Sequence, residues 1–326
     1  MSSGSNAAIR RALCACALFG TLLPARAEPP FPTKPVHVIV PNQPGGAVDI
    51  LARLLQNPLQ EKWKQPVVVE YKPGAGTVMG TDFVAKSDPD GHTIGIVVTS
   101  HVINPGLRKK LPFDTVKDLS GVTMLAVSHI LISATPSLEA NTVAELIALA
   151  KKEPGKLSYA TPGSGSSMHL TMELVKKSAG IDILHVPFKG SAGAYPEVMA
   201  GRIQLLVDPL FSSLSYLQSK KLKPIAVASA KRAPNAPDIP AVAETIAGFN
   251  VQSIFGAVVP SATPRPLVRR LNADIAAALK TPELRKRMGE VGLEPVGNSA
   301  DEFDAFIRAE IPKWTKVVEE ANISAD

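Results

Sequence analysis

Eight short runs of apolar sequence, most of them continuous rather than alternating, constrain this chain more than any other feature. They are VHVIV (36–40), VVVEY (67–71), TIGIVVTS (93–100), LSYA (157–160), ILHVPF (183–188), IQLLVD (203–208), KPIAVAS (223–229) and VQSIFGAVV (251–259). A strand that is apolar at successive positions is covered on both faces, as in a parallel or mixed sheet flanked by helices. Segments 47–63, 76–86, 142–152, 167–178 and 191–200 carry the helical period between these runs. The C-terminal part adds Pro264 to Leu279, 282–290 and about Asp301 to Asn322, with Pro312 expected to kink the last helix. Thr142 with Glu145 three positions on forms a capping-box pattern, and Gly180 and Gly201 fall where helices should end. The expected class is α/β. A strand, a glycine-rich turn and a helix occur near 36–56 and again near 157–178, an echo that points to two similar lobes. KRAPNAPDIP (231–240) reads as a surface connection.

The first 27 residues behave differently. Arg10 and Arg11 precede ALCACALFGTLL, and Ala25-Arg26-Ala27 is a small-x-small cleavage pattern, so this segment reads as a secretory leader. Its apolar run is too short to cross a bilayer; a lipid anchor at Cys16 is the weaker alternative. Both cysteines, Cys14 and Cys16, lie inside the leader. The processed chain from Glu28 therefore has no thiol for a nucleophile or a metal, which suits an oxidising compartment. Removing Arg10, Arg11 and Arg26 from 35 basic residues leaves 32 against 29 acidic ones, a net of +3. That is no nucleic-acid footprint, and Lys220-Lys221 and Arg285-Lys286-Arg287 are expected on solvated faces.

PNQPGGAVDILARLL (41–55) runs from a strand into a helix through two glycines and no charge. The first turn of a helix leaves backbone N–H groups without partners and carries partial positive charge. Pro44, Gly45, Gly46 and Ala47 would let an anion approach those amides, and Asp49 would cap the turn or accept from a ligand. The bland alternative is a tight turn that uses glycine for its conformation. YATPGSGSSMHL (159–170) repeats the arrangement, with Ser164, Ser166 and Ser167 adding hydroxyls and His169 lining the cleft or capping the helix. FKGSAGAYPEVMAG (188–201) offers a third such loop at Gly190, Ser191 and Ala192. Ser100 and His101 follow a strand and are candidate lining residues. His37 and His185 read as structural, and His92 as exposed in the turn SDPDGHT. Gly163–Ser167 does not match the G-x-S-x-G elbow. GAGTVMG (74–80) misses the dinucleotide fingerprint by one residue and has no following acid. No zinc spacing occurs, and no cofactor is expected.

Taken together, PNQPGGAVDILARLL, VVVEYKPGAGTVMGTDFVAKSDPDGHT, INPGLRKKLPFDTVKDL, GSGSSMHLTMEL, HVPFKGS, AGRIQLLVD and VASAKRAPNAPDIPAVAE resemble the tripartite tricarboxylate transporter substrate-binding proteins, the Bug receptors. The resemblance spans about residues 35 to 320. It implies a periplasmic two-lobed Venus flytrap, type II-like, with mixed sheets flanked by helices, that closes on a small carboxylate and delivers it to a permease of a large and a small subunit. It also implies that Asp208, ending IQLLVD, faces the cleft. The family often has an aromatic residue where this chain has Asn42, and Trp or Tyr where it has Ile254, so the ligand-specific part of the pocket differs. The lobes are expected at 30–134 plus 253–326 and at 135–252, with crossings near Ala134 and Val251. A monomeric, non-enzymatic receptor for a di- or tricarboxylate, acidic amino acid or aromatic carboxylate is the first expectation. The alternatives are an exported serine esterase using a serine among 164–167 and a ligand sensor for a membrane histidine kinase.

Overall fold

The computed structural model describes residues 31–188 and 190–324, and the described residues from Pro32 on form one compact unit. The leader, its cleavage pattern and both cysteines lie outside the described residues. The chain begins with β1 (Val36–Val40), α1 (Ala47–Trp63), β2 (Val67–Tyr71), a 3-10 turn leading into α2 (Val78–Ala85), β3 (Thr93–Val98) and α3 (Ser100–Leu107). β4 (Leu119–Ala134) is followed by α4 (Val143–Lys152), β5 (Ser158–Thr161), α5 (Ser167–Ala179), β6 (Leu184–Pro187), α6 (Ala194–Met199), β7 (Leu205–Pro209), α7 (Leu210–Gln218) and β8 (Lys223–Val227). The C-terminal part holds β9 (Gln252–Pro260), α8 (Arg265–Leu279), α9 (Pro282–Glu290), β10 (Glu294–Pro295) and α10 (Ala300–Glu320).

The strands form a sheet of order β2-β1-β3-β9-β4-β7-β5-β6, with β8 and β10 also pairing with β4. Two parallel trios appear in it: β1 lies between β2 and β3, and β5 lies between β6 and β7. This is the twofold echo of the sequence, now expressed as topology. The antiparallel strands β9 and β4 join the trios. β4 pairs with β9 as far as His129↔Gln252, and from Ile130 onward it pairs with β7, so one strand serves both ends of the sheet. Its burial explains its position: Ile130, Leu131, Ser133 and Ala134 are fully buried. α10 covers the junction by setting Phe303 against Gly121 of β4 and Gly256 of β9. A Cβ at 256 would lie 2.1 Å from the Phe303 ring.

Several sequence expectations change. β4, the longest strand, is absent from the expected runs because Gly121, Thr123, Ser128 and Ser133 interrupt its apolar pattern. TIGIVVTS ends as a strand at Val98 because Thr99 and Ser100 open α3. α3 and α7 also go unread, being short and each starting directly after a strand. Pro312 lies inside α10 without ending it. His92 is buried rather than exposed, its Nε2 accepting the Thr33 amide at 3.2 Å. Thr142 caps α4 through the Glu145 amide, whereas the Glu145 carboxylate accepts from Asn141, one residue before the box position.

Candidate functional site

Every parallel strand that feeds a helix does so within a few residues, so the helix starts gather at the carboxyl ends of the strands. Five of them meet at one cavity of about 510 Å³: α1 at Ala47, α2 at Thr77, α3 at Thr99 and Ser100, α5 at Ser166 and Ser167, and α7 at Pro209 and Phe211. Four of the five, all but α5, have no side-chain cap on their first amides. Each such end carries about half a positive charge. Arg108, one residue beyond α3, adds a full charge to the lining, and no carboxylate lines the cavity among the described residues. The guanidinium sits close to Gly76, where a Cβ would be 3.2 Å from Nη2. Among the described residues Arg108 is the one cationic side chain in the lining, so the backbone amides of the helix starts carry most of the site's positive character.

Its floor is the β4–β9 pair. Ser128 and Ser253 stand opposite each other in register, both line the cavity, and neither buried hydroxyl has a hydrogen-bond partner. Asn42 Oδ1 at the mouth is likewise buried and unpartnered. Buried polar groups are normally satisfied, so three such atoms around one cavity mark where a ligand's polar groups would go. Phe255, Ile254, Phe211, Leu107 and Val98 give the remaining wall an apolar character.

The expected residues divide into lining and supporting groups. Ala47, Ser100, Ser164, Ser166 and Ser167 line the cavity, together with Gly163 and Gly165. Ser166 is occupied twice: its hydroxyl donates to the Gly163 carbonyl at 2.7 Å and accepts the His169 amide at 3.2 Å. Ser100 shares a hydroxyl bond of 2.7 Å with Thr77, which ties two helix starts together. Pro44, Gly45, Gly46 and Asp49 do not line the cavity. Gly45 takes the turn at φ +91°, and its amide donates to Asp49 Oδ2 at 2.7 Å. Arg53 and Tyr71 donate to Asp49 Oδ1 at 2.8 and 2.7 Å. Burial pushes the Asp49 carboxyl up, but the bonds from Tyr71, Gly45 and Arg53 outweigh it and hold it below its ordinary value. Asp49 is thus a clamp on the loop.

The second and third loops are braced in the same way. His169, expected to line the cleft or cap the helix, stays out of the cavity lining, its Nδ1 accepting the Gly165 amide at 3.1 Å and its ring stacked 3.7 Å from His185. Burial lowers both imidazoles to about 4, so they are neutral near pH 7. Asp208 is fully buried and does not line the cavity. It accepts Ser191 Oγ at 2.5 Å and Tyr195 OH at 2.7 Å, anchoring the Gly190–Ala192 loop from below. Burial raises its carboxyl to about 6, against the two hydroxyl bonds that lower it. Gly190, Ser191 and Ala192 are themselves outside the lining. His101 points into the core behind α3, where burial lowers it to about 4.

Sequence reasoning missed Gly76, Thr77, Asn104, Arg108, Ser128 and Ser253. The GAGTVMG stretch carried a usable signal, since it repeats the strand–glycine–helix pattern credited at the other loops. Ala75 and Thr77 there adopt φ +47° and +78°, and the Asn104 side chain donates to Gly76 O at 3.1 Å. Nothing local marks Arg108 or the two serines. A Ser229–His129–Glu294 chain of hydrogen bonds exists. Its serine, however, is buried and donates to the Lys231 carbonyl, and none of the three lines the cavity.

A profile described as the tripartite tricarboxylate transporter family receptor matches residues 51–323. The chain is 32% identical over 326 residues to a UPF0065 protein in the tcbD-tcbE intergenic region of Pseudomonas sp. (strain P51), covering 99% of this chain and 97% of that protein. An R. palustris protein solved with adipate superposes with TM-score 0.78 at 34% identity, covering 90% of this chain and 99% of that one. MatC from Rhodopseudomonas palustris, solved with bound malate, superposes with TM-score 0.73 at 28% identity, covering 88% and 100%.

Proposed function

Because the chain belongs to the tripartite tricarboxylate transporter family of receptors, we propose that its cavity captures a small dicarboxylate and releases it to a membrane permease of one large and one small subunit. The observation that carries this reading is the convergence of five helix starts and Arg108 on one acid-free cavity among the described residues. One ligand carboxylate accepts from the amides of α1 and α5, and Arg108 pairs with an oxygen of the other. The apolar wall of Phe255, Ile254 and Phe211 takes the carbon chain between them, and Ser128 and Ser253 take a further polar group. The adipate and malate of the two R. palustris proteins are dicarboxylates and support the class.

The two parallel trios act as lobes, 30–134 plus 253–326 and 135–252, that close on the ligand. Ala47 and Arg108 lie on the first and Ser164–Ser167 on the second, so a carboxylate bonded to both favours the closed form by its extra bonds there. The secretory leader read from the first 27 residues directs the chain to the periplasm, where it works as a monomer. Binding requires no bond-breaking, and Ser166 is held by Gly163 and the His169 amide rather than by a base. Thermal shift and calorimetry against adipate, malate, citrate, aspartate and phthalate test the reading. A saturable rise in Tm with at least one of them is expected; no stabilisation by any would overturn it.

A further inference from the structure

A second cavity, of about 500 Å³, lies on the other face of the β4–β9 pair. The strands themselves establish this. Val127 and Gln252 line the second cavity, while their neighbours Ser128 and Ser253 line the first. Successive strand residues point to opposite faces, so the two cavities are back to back across the residues where β4 changes partners, with Ile254 of β9 in the lining of both. The walls of the second are α5 (Leu174, Ser178), the segment 246–252 that leads into β9, and α10 (Phe306 to Trp314).

Its chemistry is specific. Val127, Leu174, Ile246 and Phe306 remain only partly buried around it, an apolar lining that the core leaves uncovered. Trp314 lines it at 1% exposure, and its indole N–H has no hydrogen-bond acceptor. Lys313 stands at the rim, 5.4 Å from the Trp314 ring, with its ammonium held by Glu310 at 3.0 and 3.1 Å. That ion pair cancels the rim's charge. A carboxylate there would meet Glu310, whereas a neutral acceptor would satisfy the indole at no electrostatic cost. The volume is that of a small-molecule pocket.

The geometry points to a second binding site, behind the carboxylate cleft, for an uncharged molecule with an apolar body and one carbonyl-type acceptor for Trp314. Its place behind the proposed hinge rests on the two-lobe reading; the site itself does not. The test is a titration of the full processed chain, labelled with nitrogen-15, with 2-nonanone. The chain has two tryptophans, and the Trp63 indole already donates to Asp274 at 2.8 Å. The Trp314 indole resonance is expected to move saturably while that of Trp63 stays still. In Ser178→Phe, an exposed α5 position whose new ring would fill the cavity, the shift should be lost with the melting curve unchanged. No saturable movement, equal movement of both indoles, or an undiminished shift in Ser178→Phe would each overturn the site. Carboxylate binding in the cleft is a separate titration, so failure of either reading leaves the other standing.

Discussion

Arg108, Ser128 and Ser253 are the side chains on which the proposed recognition turns, and each makes a different kind of contribution. Arg108 supplies the one cationic side chain in the lining among the described residues. Arg108→Ala is expected to weaken dicarboxylate binding by ~10- to 100-fold, the range of a lost charged hydrogen bond. Calorimetry checks it, and Arg108→Lys should recover only part because the planar fork is gone. Ser128 and Ser253 hold buried hydroxyls with no partner. An unsatisfied buried group costs stability, so Ser128→Ala should leave the ligand-free Tm unchanged or raise it, while lowering ligand affinity. A ligand that binds Ser128→Ala as tightly as the parent would remove that serine from the site. The buried imidazoles make a third test. Unfolded histidine takes up its proton near pH 6.5, but folded His169 and His185 resist until about 4. Between those values the unfolded chain binds more protons, so stability falls as pH falls. Asp208, raised to about 6, acts in the opposite sense over the same window. His185→Phe keeps the ring stack and removes one titrating group; its melting temperature should depend less steeply on pH between 6.5 and 4 than the parent's. Subtracting the two curves cancels Asp208.

At the scale of elements, buried groups tie the three glycine loops from behind; the second lines the cavity, while Gly45, Gly46 and Gly190–Ala192 lie outside it. Asp49 holds the first, His169 the second and Asp208 the third. Asp49 and His169, which the sequence offered either as ligand contacts or as caps, and Asp208, which the resemblance set facing the cleft, each bond back to a loop and stay out of the cavity lining: a polar residue close to a glycine loop carries the same sequence signal in either role. A helix docked on glycines behaves more plainly. Phe303 of α10 occupies the space that side chains at Gly121 and Gly256 would need. Gly256→Ala overfills that contact and is expected to destabilise by about 1–3 kcal/mol, at roughly 2–4 °C per kcal/mol. Gly46, by contrast, has nothing within 4 Å of a Cβ. Gly46→Phe should therefore melt like the parent, and lose binding only if its ring screens the α1 amides.

The whole molecule sets two cavities back to back on one strand pair. If the trios close as lobes, X-ray scattering should record a smaller radius of gyration with saturating dicarboxylate than without, and an unchanged radius would rule out closure. Gly165 meets Leu107 across the cleft, with a Cβ only 2.8 Å from the leucine Cδ2, so Gly165→Val should prop the walls and reduce that compaction. Occupancy of the rear cavity and of the cleft should be linked reciprocally. Whatever factor 2-nonanone imposes on dicarboxylate affinity, the dicarboxylate must impose on the ketone.

The sequence by itself determined the α/β class, the strand–glycine–helix units and the family. These rest on local periodicity and on runs of residues that are neighbours along the chain. It also singled out Ala47 and Ser164–Ser167, which line the cavity, because a helix start advertises itself in its own turn. Tertiary structure alone decided that β4 would be the shared strand, that Arg108 would reach the cleft, and that Ser128 and Ser253 would face each other across a register. It likewise decided that Asp49, His169 and Asp208 would point inward. Those placements depend on which strands pair and which side of a loop meets solvent, and both are settled by contacts between residues far apart along the chain.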